Sequence, residues 1–255
     1  MWATRIDQLT KAGWLPANWP VPPEAIPCYH GGMAFQVIFE DDDFIAVAKP
    51  AGVVVHSSRE TGDDAISVVS QQIGKPVFAF HRLDKGTSGI LLLGKRKVFA
   101  GQVTRAFEKK LVRKAYLAVV EGKWDPRVSR VEAKIEKPET GPIFVSENGK
   151  PALTTFRLFT SSAQKSFIEA LPKTGRTHQI RVHCVHAGHA ILGDTMYGKS
   201  RGSVSPEQLA LHAHSLSFTH PGTKLRLELG SMPSEWLDTW LSGLDVSKAW
   251  ASLTK

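Results

Sequence analysis

Short strand-like segments in close succession are the feature that most restricts the fold of this chain of 255 residues. From Phe35 onward, apolar and β-branched residues dominate runs of about four to eight residues, and turn residues separate these runs. Three pairs of runs have connections short enough for hairpins: FQVIFE with FIAVAK, ALTTFRLF with SFIEAL, and LHAHSLSF with KLRLEL. Hairpin connections favour antiparallel neighbours. The pattern therefore predicts an α+β fold with a mixed, mainly antiparallel central sheet and flanking helices.

The flanking helices are predicted from apolar spacing and from capping residues. Asp63 or Asp64 can cap a helix that ends at Ile73, before Gly74. Phe99, Val103 and Phe107 recur every four residues in the stretch 97–111. Further helices are predicted over 177–187, which stops at Gly188, and in the closing segment PSEWLDTWLSGL. The remaining strands are expected at 77–80, 90–93 and 113–122.

The domain organisation follows from where this regular pattern begins. Residues 1–33 contain prolines between tryptophans and have no periodicity, so they are predicted to be a Pro/Trp-rich extension that lies on the main domain. This extension is too short and irregular for an independent RNA-binding module. No boundary interrupts the pattern after it, and residues 34–255 are expected to form one domain.

The charge balance suggests a polyanionic partner. Lys and Arg total 32 against 24 Asp and Glu, a net charge of +8. Nucleic acid is the first candidate for such a partner, and a merely basic soluble protein is an equal alternative on charge alone. The chain has no apolar run long enough for a membrane span, and its N-terminus does not resemble a signal peptide. Two cysteines cannot form a disulfide framework, so a cytoplasmic protein is expected. No membrane association and no obligate protein partner are predicted.

The loop HRLDKGTSG, residues 81–89, places one carboxylate among cations. Arg82 and Lys85 flank Asp84 and stabilise its ionised form. Such a carboxylate can be a nucleophile or a base. It can equally be a turn residue that accepts hydrogen bonds from the backbone, and the local chemistry alone favours this structural interpretation.

Two further segments offer groups that could bind nucleic acid. The loop that opens the predicted helix at 177 offers backbone N–H groups, and Lys173, Arg176 and His178 add further donors. This is a plausible phosphate cradle, although the spacing is not that of a Walker A loop. Arg181 lies one turn into this helix and could be a solvated surface residue. The stretch 95–114 is rich in cations, including Lys109 and Lys110, which fits a surface that follows phosphates or an ordinary solvated helix face.

Tyr116 lies on a strand whose residues alternate between two environments. Ala115, Leu117 and Val119 face one way, whereas Tyr116 shares the opposite face with Lys114. An aromatic ring beside a cation can stack on a nucleobase.

A metal site is the competing hypothesis for the histidines of the same region. His178, His183, His186 and His189 are close in sequence, but no pair has i, i+4 spacing and no HExxH motif is present. These histidines are therefore predicted to be ordinary polar and core residues. A metal-dependent hydrolase is the less favoured hypothesis, and no metal is predicted.

Several motifs in a fixed order resemble the RluA-type family of pseudouridine synthases. They cover most of residues 36–229 and read KPAGVVVH, HRLDKGTSGILLLGK, RKAYLAVVEG, GKPALT, KTGRTHQIRVH, ILGDTMYG and LHAHSLSFTHP. The resemblance implies the pseudouridine synthase fold and an enzyme that isomerises uridine in structured RNA, with neither metal nor organic cofactor. Many members carry an N-terminal S4 RNA-binding module. Only about thirty Pro- and Trp-rich residues precede the fold here, so this module is expected to be absent. Relatives without it include enzymes that modify tRNA and 23S rRNA, and a stem-loop in either is the expected substrate. The alternative is a non-catalytic RNA-binding or chaperone protein on the same fold.

The resemblance also assigns roles to residues. The catalytic residues of the family fall on Asp84, Tyr116 and Arg181, where the arginine pairs with the aspartate and the tyrosine stacks on a uracil flipped out of its helix. Removal of the proton from C5 after the new bond forms is a second possible role for Tyr116. Arg82 is expected to enter the gap that the flipped base leaves. Lys49 and Pro50 fall on a motif beside the pocket, and Lys49 is expected to bind the RNA substrate there. The remaining expected RNA contacts are His81, Lys85, Thr87, Lys173, Arg176, His178, Lys109 and Lys110.

Overall fold

The computed structural model describes residues 34–57, 64–198, 209–233 and 240–247, together with Ala249 and Leu253. The predicted extension, residues 1–33, lies outside the described residues, as do residues 234–239 of the predicted closing helix. The described end of that segment, residues 240–244, forms turns and bends. None of the helices in the described part of the chain has the length and apolar content that crossing a bilayer requires.

The described chain forms a sheet of eleven strands and includes three α-helices whose bounds the structure gives. The helices are α1 (Ala65–Ile73), α2 (Ala100–Glu108) and α3 (Gln179–His186). The strands are β1 (Gln36–Glu40), β2 (Phe44–Lys49), β3 (Phe78–Ala79), β4 (Ser88–Gly94), β5 (Arg113–Glu121), β6 (Arg130–Glu136), β7 (Phe144–Val145), β8 (Lys150–Ser161), β9 (Lys165–Pro172), β10 (Leu211–Thr219) and β11 (Arg226–Gly230).

The sheet is mixed but mainly antiparallel, which confirms the predicted fold class. Its strand order is β1-β2-β4-β10-β5-β9-β8-β6-β7, with β3 paired to β4 and β11 paired to β10. Among these described pairs, β4 and β10 run parallel and the others run antiparallel. The register aligns Gly89, Ala213, Tyr116 and Ala170 across four neighbouring strands.

The apolar runs of β2 and β4 are continuous because helices cover both faces of the sheet there. Ile45 and Leu91 pack with Val69 of α1 in one cluster. Phe44 and Leu92 pack with Val103 of α2 in a second cluster on the opposite face. A third cluster joins β5 and β9 to α3. The Asp84 loop and Tyr116 lie where these clusters meet, because Tyr116 packs against the first and the third.

Capping decides the limits of α1 as the sequence predicts. The Asp64 carboxylate accepts a hydrogen bond from the Ser67 N–H at 2.9 Å, and Gly74 ends the helix at φ 65°. The prediction for α2 is too long. A 3-10 turn over Lys97–Phe99 precedes it, and it ends at Glu108, so Lys109 and Lys110 follow the helix.

The strands β6 and β7 are missing from the sequence prediction. The segment RVEAKIE of β6 buries Val131 and Ile135, which are four residues apart and surrounded by charged residues. That spacing fits one helical face as well as one strand face. Pairing with β8 and β7 makes the segment a strand.

Gly89 makes a close contact that no other residue type permits. Its φ is +106°, and a Cβ atom there would lie 2.2 Å from the Ala213 carbonyl oxygen. We expect Gly89→Ala to lower the free energy of unfolding by roughly 2–5 kcal/mol, because backbone strain and a steric clash add. Gly74→Ala is the matched control, since its positive φ is retained but nothing lies within 4 Å. It should cost about 1 kcal/mol. Urea unfolding measures both, and equal losses would contradict the prediction.

Candidate active site

The loop that carries Asp84 is held from beneath by a buried amine. Lys49 is 1% exposed, and its Nζ donates to the carbonyl oxygens of Pro50 and Val53, each at 2.7 Å, and to that of Lys85 at 3.4 Å. The Gly52 N–H also donates to the Lys85 carbonyl, at 2.9 Å. Burial lowers the pKa of Lys49 to about 7, although the charge of Asp84 opposes this shift. Such a buried side chain has no surface to offer RNA, so the expected role of Lys49 in binding substrate is corrected to supporting the loop.

His81 anchors the start of the loop. Its Nε2 accepts a hydrogen bond from the Leu92 N–H at 3.0 Å, and its ring stacks on Phe107 with centroids 5.0 Å apart. Burial, with the nearby charge of Lys114, lowers the pKa of His81 to about 3. The ring is therefore neutral and packed into the fold. The ring supports the loop in this way, and its expected contact with RNA stays a prediction.

The end of the loop is fixed by hydrogen bonds to the backbone and to β10. The N–H of Thr87, a buried residue, donates to the Asp84 carbonyl at 3.0 Å. Ser88 Oγ lies 2.8 Å from Nδ1 of the buried His212. With both ends anchored, the loop exposes Arg82 and Lys85 and leaves Asp84 half-buried.

Arg181 is the residue that faces Asp84. It is 8% exposed, and its Nη1 lies 3.5 Å from Asp84 Oδ2. Its Nε and Nη2 donate to the two carboxylate oxygens of Asp194 at 2.7 Å and 2.8 Å. Burial works to lower the pKa of Arg181, but the hydrogen bonds and charge of Asp194, with the charge of Asp84, raise it overall. Arg181 is thus a buried part of the site and not a solvated surface residue.

Asp194 is a site residue that the sequence analysis did not single out. It is 3% exposed, and its Oδ1 also accepts the N–H groups of Met196 and Tyr197, each at 3.0 Å. These bonds orient the carboxylate that holds Arg181 in a bidentate pair. The motif ILGDTMYG contains Asp194, so a sequence signal existed, but its partner is known only from the fold.

His178 lies beside the Asp84 carboxylate and has a strained backbone conformation. It precedes α3 with φ 54° and ψ 18°, a left-handed conformation that non-glycine residues seldom adopt. Its Nδ1 lies 2.9 Å from the Tyr197 hydroxyl, and its Nε2 lies 3.9 Å from Asp84 Oδ2. Burial lowers the pKa of His178, and the charge of Asp84 offsets part of this shift. The Tyr197 ring packs over the Arg181 guanidinium, with 4.9 Å from Cζ to the ring centroid.

These groups line a small cavity together with Tyr116. The cavity has a volume of about 100 Å³, and its walls include Asp84, Tyr116 and Arg181 as well as Lys114 and His178. Burial and the charge of Asp84 raise the pKa of Tyr116, so its phenol keeps its proton at neutral pH. The cavity therefore presents a carboxylate, a guanidinium and an aromatic ring to one ligand.

The histidines in α3 and just after it do not come together as a group of metal ligands. Nδ1 of His183 lies 2.9 Å from the Thr154 hydroxyl, Nδ1 of His189 lies 2.8 Å from the Glu121 carbonyl, and His186 is exposed. The described residues hold one group of three potential ligands elsewhere, formed by Asp41, Asp43 and His220.

The geometry of His220 disfavours metal binding in that group as well. Its Nδ1 accepts the N–H groups of Gly222 and Thr223, each at 3.0 Å, so the ring proton of neutral His220 lies on Nε2. That nitrogen lies 3.0 Å from Asp41 Oδ2 and has no lone pair free for a metal.

Comparison with known proteins places this arrangement in a family. A family model described as RNA pseudouridylate synthase matches residues 43–186. The ribosomal large subunit pseudouridine synthase C of Vibrio cholerae is 36% identical over 83% of this chain and 70% of that protein. The chain belongs to the RNA pseudouridylate synthase family. It is an isomerase that converts uridine in RNA to pseudouridine, and its resemblance to the RluA-type enzymes is confirmed.

Two further relatives agree with this assignment. The protein of the same name from Haemophilus influenzae is 36% identical over 84% of this chain and 70% of its own length. A solved structure named Human RNA Pseudouridylate Synthase Domain Containing 1 has a TM-score of 0.66 and 26% identity, and it covers 82% of this chain and 86% of that one.

The cations expected to contact RNA are exposed on this pseudouridine synthase, and three of them line the active-site cavities. Arg82 and Arg176 line the cavity and are exposed at its edge. Lys85 lines a neighbouring cavity of about 370 Å³ that shares Asp84 and Arg181. Lys173, Lys109 and Lys110 are also exposed.

The pair between Arg181 and Asp194 should support both stability and activity. We expect Asp194→Asn to lower the free energy of unfolding by about 3–5 kcal/mol, because it leaves the buried guanidinium without its main counter-charge. Pseudouridine formation should fall as well, since Arg181 is then free to move away from Asp84. Chemical unfolding and the release of tritium from uridine C5 measure the two effects.

Asp125→Asn is the matched control for this change. Asp125 pairs with Arg127 at the surface, so removing its charge should hardly alter stability or activity. A variant Asp194→Asn that is as stable and active as this control would contradict the prediction.

Proposed function

We propose that this pseudouridine synthase acts on a uridine flipped out of a stem-loop in large-subunit rRNA, with Asp84 as the catalytic carboxylate. The observation that carries the proposal is the placement of Asp84. Its loop is anchored at both ends, its Oδ2 lies 3.5 Å from the buried Arg181, and it shares a cavity with Tyr116. A carboxylate held in this way is oriented before substrate arrives.

A flipped base fits the small cavity better than a base stacked in a helix. The glycosidic bond of a stacked uridine is hidden, and flipping costs a few kcal/mol. Tyr116 can recover part of this cost by stacking on the uracil, an interaction worth about 1–3 kcal/mol. Arg82 is exposed at the edge of the cavity, where its guanidinium can occupy the gap in the RNA stack.

Asp84 then acts at the ribose of the flipped nucleotide. It either attacks C1′ or removes the 2′ proton, and both routes break the bond to N1 and need an ionised carboxylate. Arg181 holds that carboxylate in position, with its Nη1 at 3.5 Å from Asp84 Oδ2. After the ring turns, C5 bonds to C1′ and loses its proton. Because the phenol of Tyr116 keeps its proton, stacking on the base is a more favourable role for Tyr116 than removal of this C5 proton.

The choice of RNA rests on the relatives. The proteins from Vibrio cholerae and Haemophilus influenzae carry names that specify the ribosomal large subunit, which favours rRNA over the tRNA that the sequence analysis left open. A cytoplasmic location, where such RNA is made in bacteria, is part of this proposal. The alternative of a non-catalytic RNA chaperone is not retained, because the family and its named members are enzymes.

The role of Asp84 can be tested with a 23S rRNA transcript that carries tritium at uridine C5. We expect Asp84→Asn to reduce tritium release by more than about a thousandfold, since it removes the group that acts on the reacting atoms. Binding of the same transcript should stay close to that of the wild type, because the exposed cations are unchanged. Asp125→Asn serves as the surface control. Near-full activity of Asp84→Asn would show that another group performs the chemistry.

The exposed lysines after α2 should contribute to RNA affinity through phosphate contacts. We expect the double change of Lys109 and Lys110 to Gln to make the plot of log affinity against log salt concentration shallower by about 1.4–1.8, the loss of two contacts. Filter binding between about 50 and 200 mM salt measures the slope. An unchanged slope would place the RNA on a different surface.

A further inference from the structure

Lys114 is a charged residue inside the cavity for which the mechanism above has no task. It is the second residue of β5 and lies two positions before Tyr116, so the two side chains project from the same face of the strand. Both line the cavity with Asp84. Gly175 also lines the cavity, and a Cβ atom added there would lie 3.8 Å from Lys114 Nζ. The amine therefore lies beside the loop before α3.

The amine of Lys114 has no protein acceptor within the described part of the chain. No hydrogen bond or ion pair joins its Nζ to a described residue, whereas Lys49, the other shielded lysine near this loop, donates to three carbonyl oxygens. The burial that Lys114 undergoes lowers its pKa. Shielding an ammonium from water without a partner is unfavourable. A ligand that supplies an oxygen acceptor at this point would remove that cost.

Neighbouring polar groups in the cavity are occupied by each other. Gln179 Oε1 accepts from the Thr174 hydroxyl and the Arg176 N–H, and its amide donates to Leu153 and Thr154. The Arg181 guanidinium is held by Asp194 and faces Asp84. His178 is engaged by Tyr197. The free donors of Lys114 are therefore available to a ligand without breaking an existing bond.

We propose that Lys114 is a specificity-determining residue that donates a hydrogen bond from Nζ to the O4 carbonyl oxygen of the flipped uracil. This inference rests on the proposed function and names how the same cavity selects its base. An ammonium is a donor only, so it matches a carbonyl oxygen and opposes the amino group that cytosine carries at the same ring position. The side chain also shares a strand face with Tyr116, on which the ring stacks.

A phosphate of the RNA is the other oxygen acceptor that a lysine could bind. The structure favours the base, because the exposed side chains of Arg82, Lys85, Lys173 and Arg176 are already available to the phosphates outside. Lys114 lies within the cavity, on the side of the stacking platform.

The experiment couples the change of Lys114 to a change of one oxygen in the substrate. Two 23S rRNA transcripts are compared, one with uridine and one with 4-thiouridine, in which sulfur, a weak acceptor, replaces O4. Single-turnover rates are followed by chromatography of the digested nucleosides. We expect the wild type to be about tenfold or more slower on the 4-thiouridine transcript, the effect of losing one charge-assisted hydrogen bond. Lys114→Met should be slower than the wild type on uridine by a similar factor and should no longer distinguish the two transcripts.

Controls separate this role from a structural one. Lys114→Arg keeps a cationic donor and should retain part of the discrimination. Lys114→Met should unfold at a temperature equal to or above that of the wild type, because it removes a shielded charge without a protein partner. A large loss of thermal stability would instead assign Lys114 to the fold and overturn the proposal.

The remaining outcomes are distinguishable. If Lys114→Met slows both transcripts equally, keeps the wild-type discrimination and makes the salt dependence shallower by about 0.7–0.9, Lys114 binds a phosphate and the assignment to O4 is wrong. If Lys114→Met matches the wild type in every rate, the residue has no part in selection. A wild type that leaves both transcripts unmodified would overturn the proposed rRNA substrate, and with it the inference that depends on it.

Discussion

The bidentate pair between Arg181 and Asp194 is the interaction on which the geometry of the active site depends. Two nitrogens of the guanidinium are used by Asp194, and the third faces Asp84. Asp194 is itself oriented by two backbone N–H groups. A lysine could not replace Arg181 here, because only the planar guanidinium offers donors in fixed directions to two carboxylates at once. The pair thus transfers the rigidity of the 194–197 turn to the carboxylate proposed to be catalytic.

The loop around Asp84 obtains its rigidity from polar residues that bind or pack against its backbone. Lys49 fills the space beneath it and binds carbonyl oxygens, and His81 accepts a backbone N–H while it stacks on Phe107. Both are polar, and both resemble RNA contacts when only the sequence is considered. Catalytic groups need support of this kind, since a carboxylate held loosely loses much of the advantage of its position. Polar residues near a site therefore divide into those that face the ligand and those that hold the others in place.

Sequence reasoning recovered the strands of the sheet core and the residues Asp84, Tyr116 and Arg181, which the fold brings into one cavity. It missed β6 and β7, because an apolar residue at every fourth position fits a helix as well as a strand. It also missed Asp194 and did not show that Lys49 is buried. The common cause is burial, because a charged residue is assumed to be solvated until the fold shows what covers it.

The sequence by itself determined the fold class, the family and the identity of the loop that carries Asp84, because these depend on local patterns and on the order of motifs. It also placed Tyr116 and Lys114 on one face of β5, since alternation along a strand is a local property. Only the tertiary structure decided which charges lose their water and which charge meets which. Asp84 and Arg181 are 97 residues apart in the chain, and their contact requires β4, β10, β5 and β9 to assemble in one sheet. The protonation and the role of each polar group depend on such neighbours, which the local sequence does not specify.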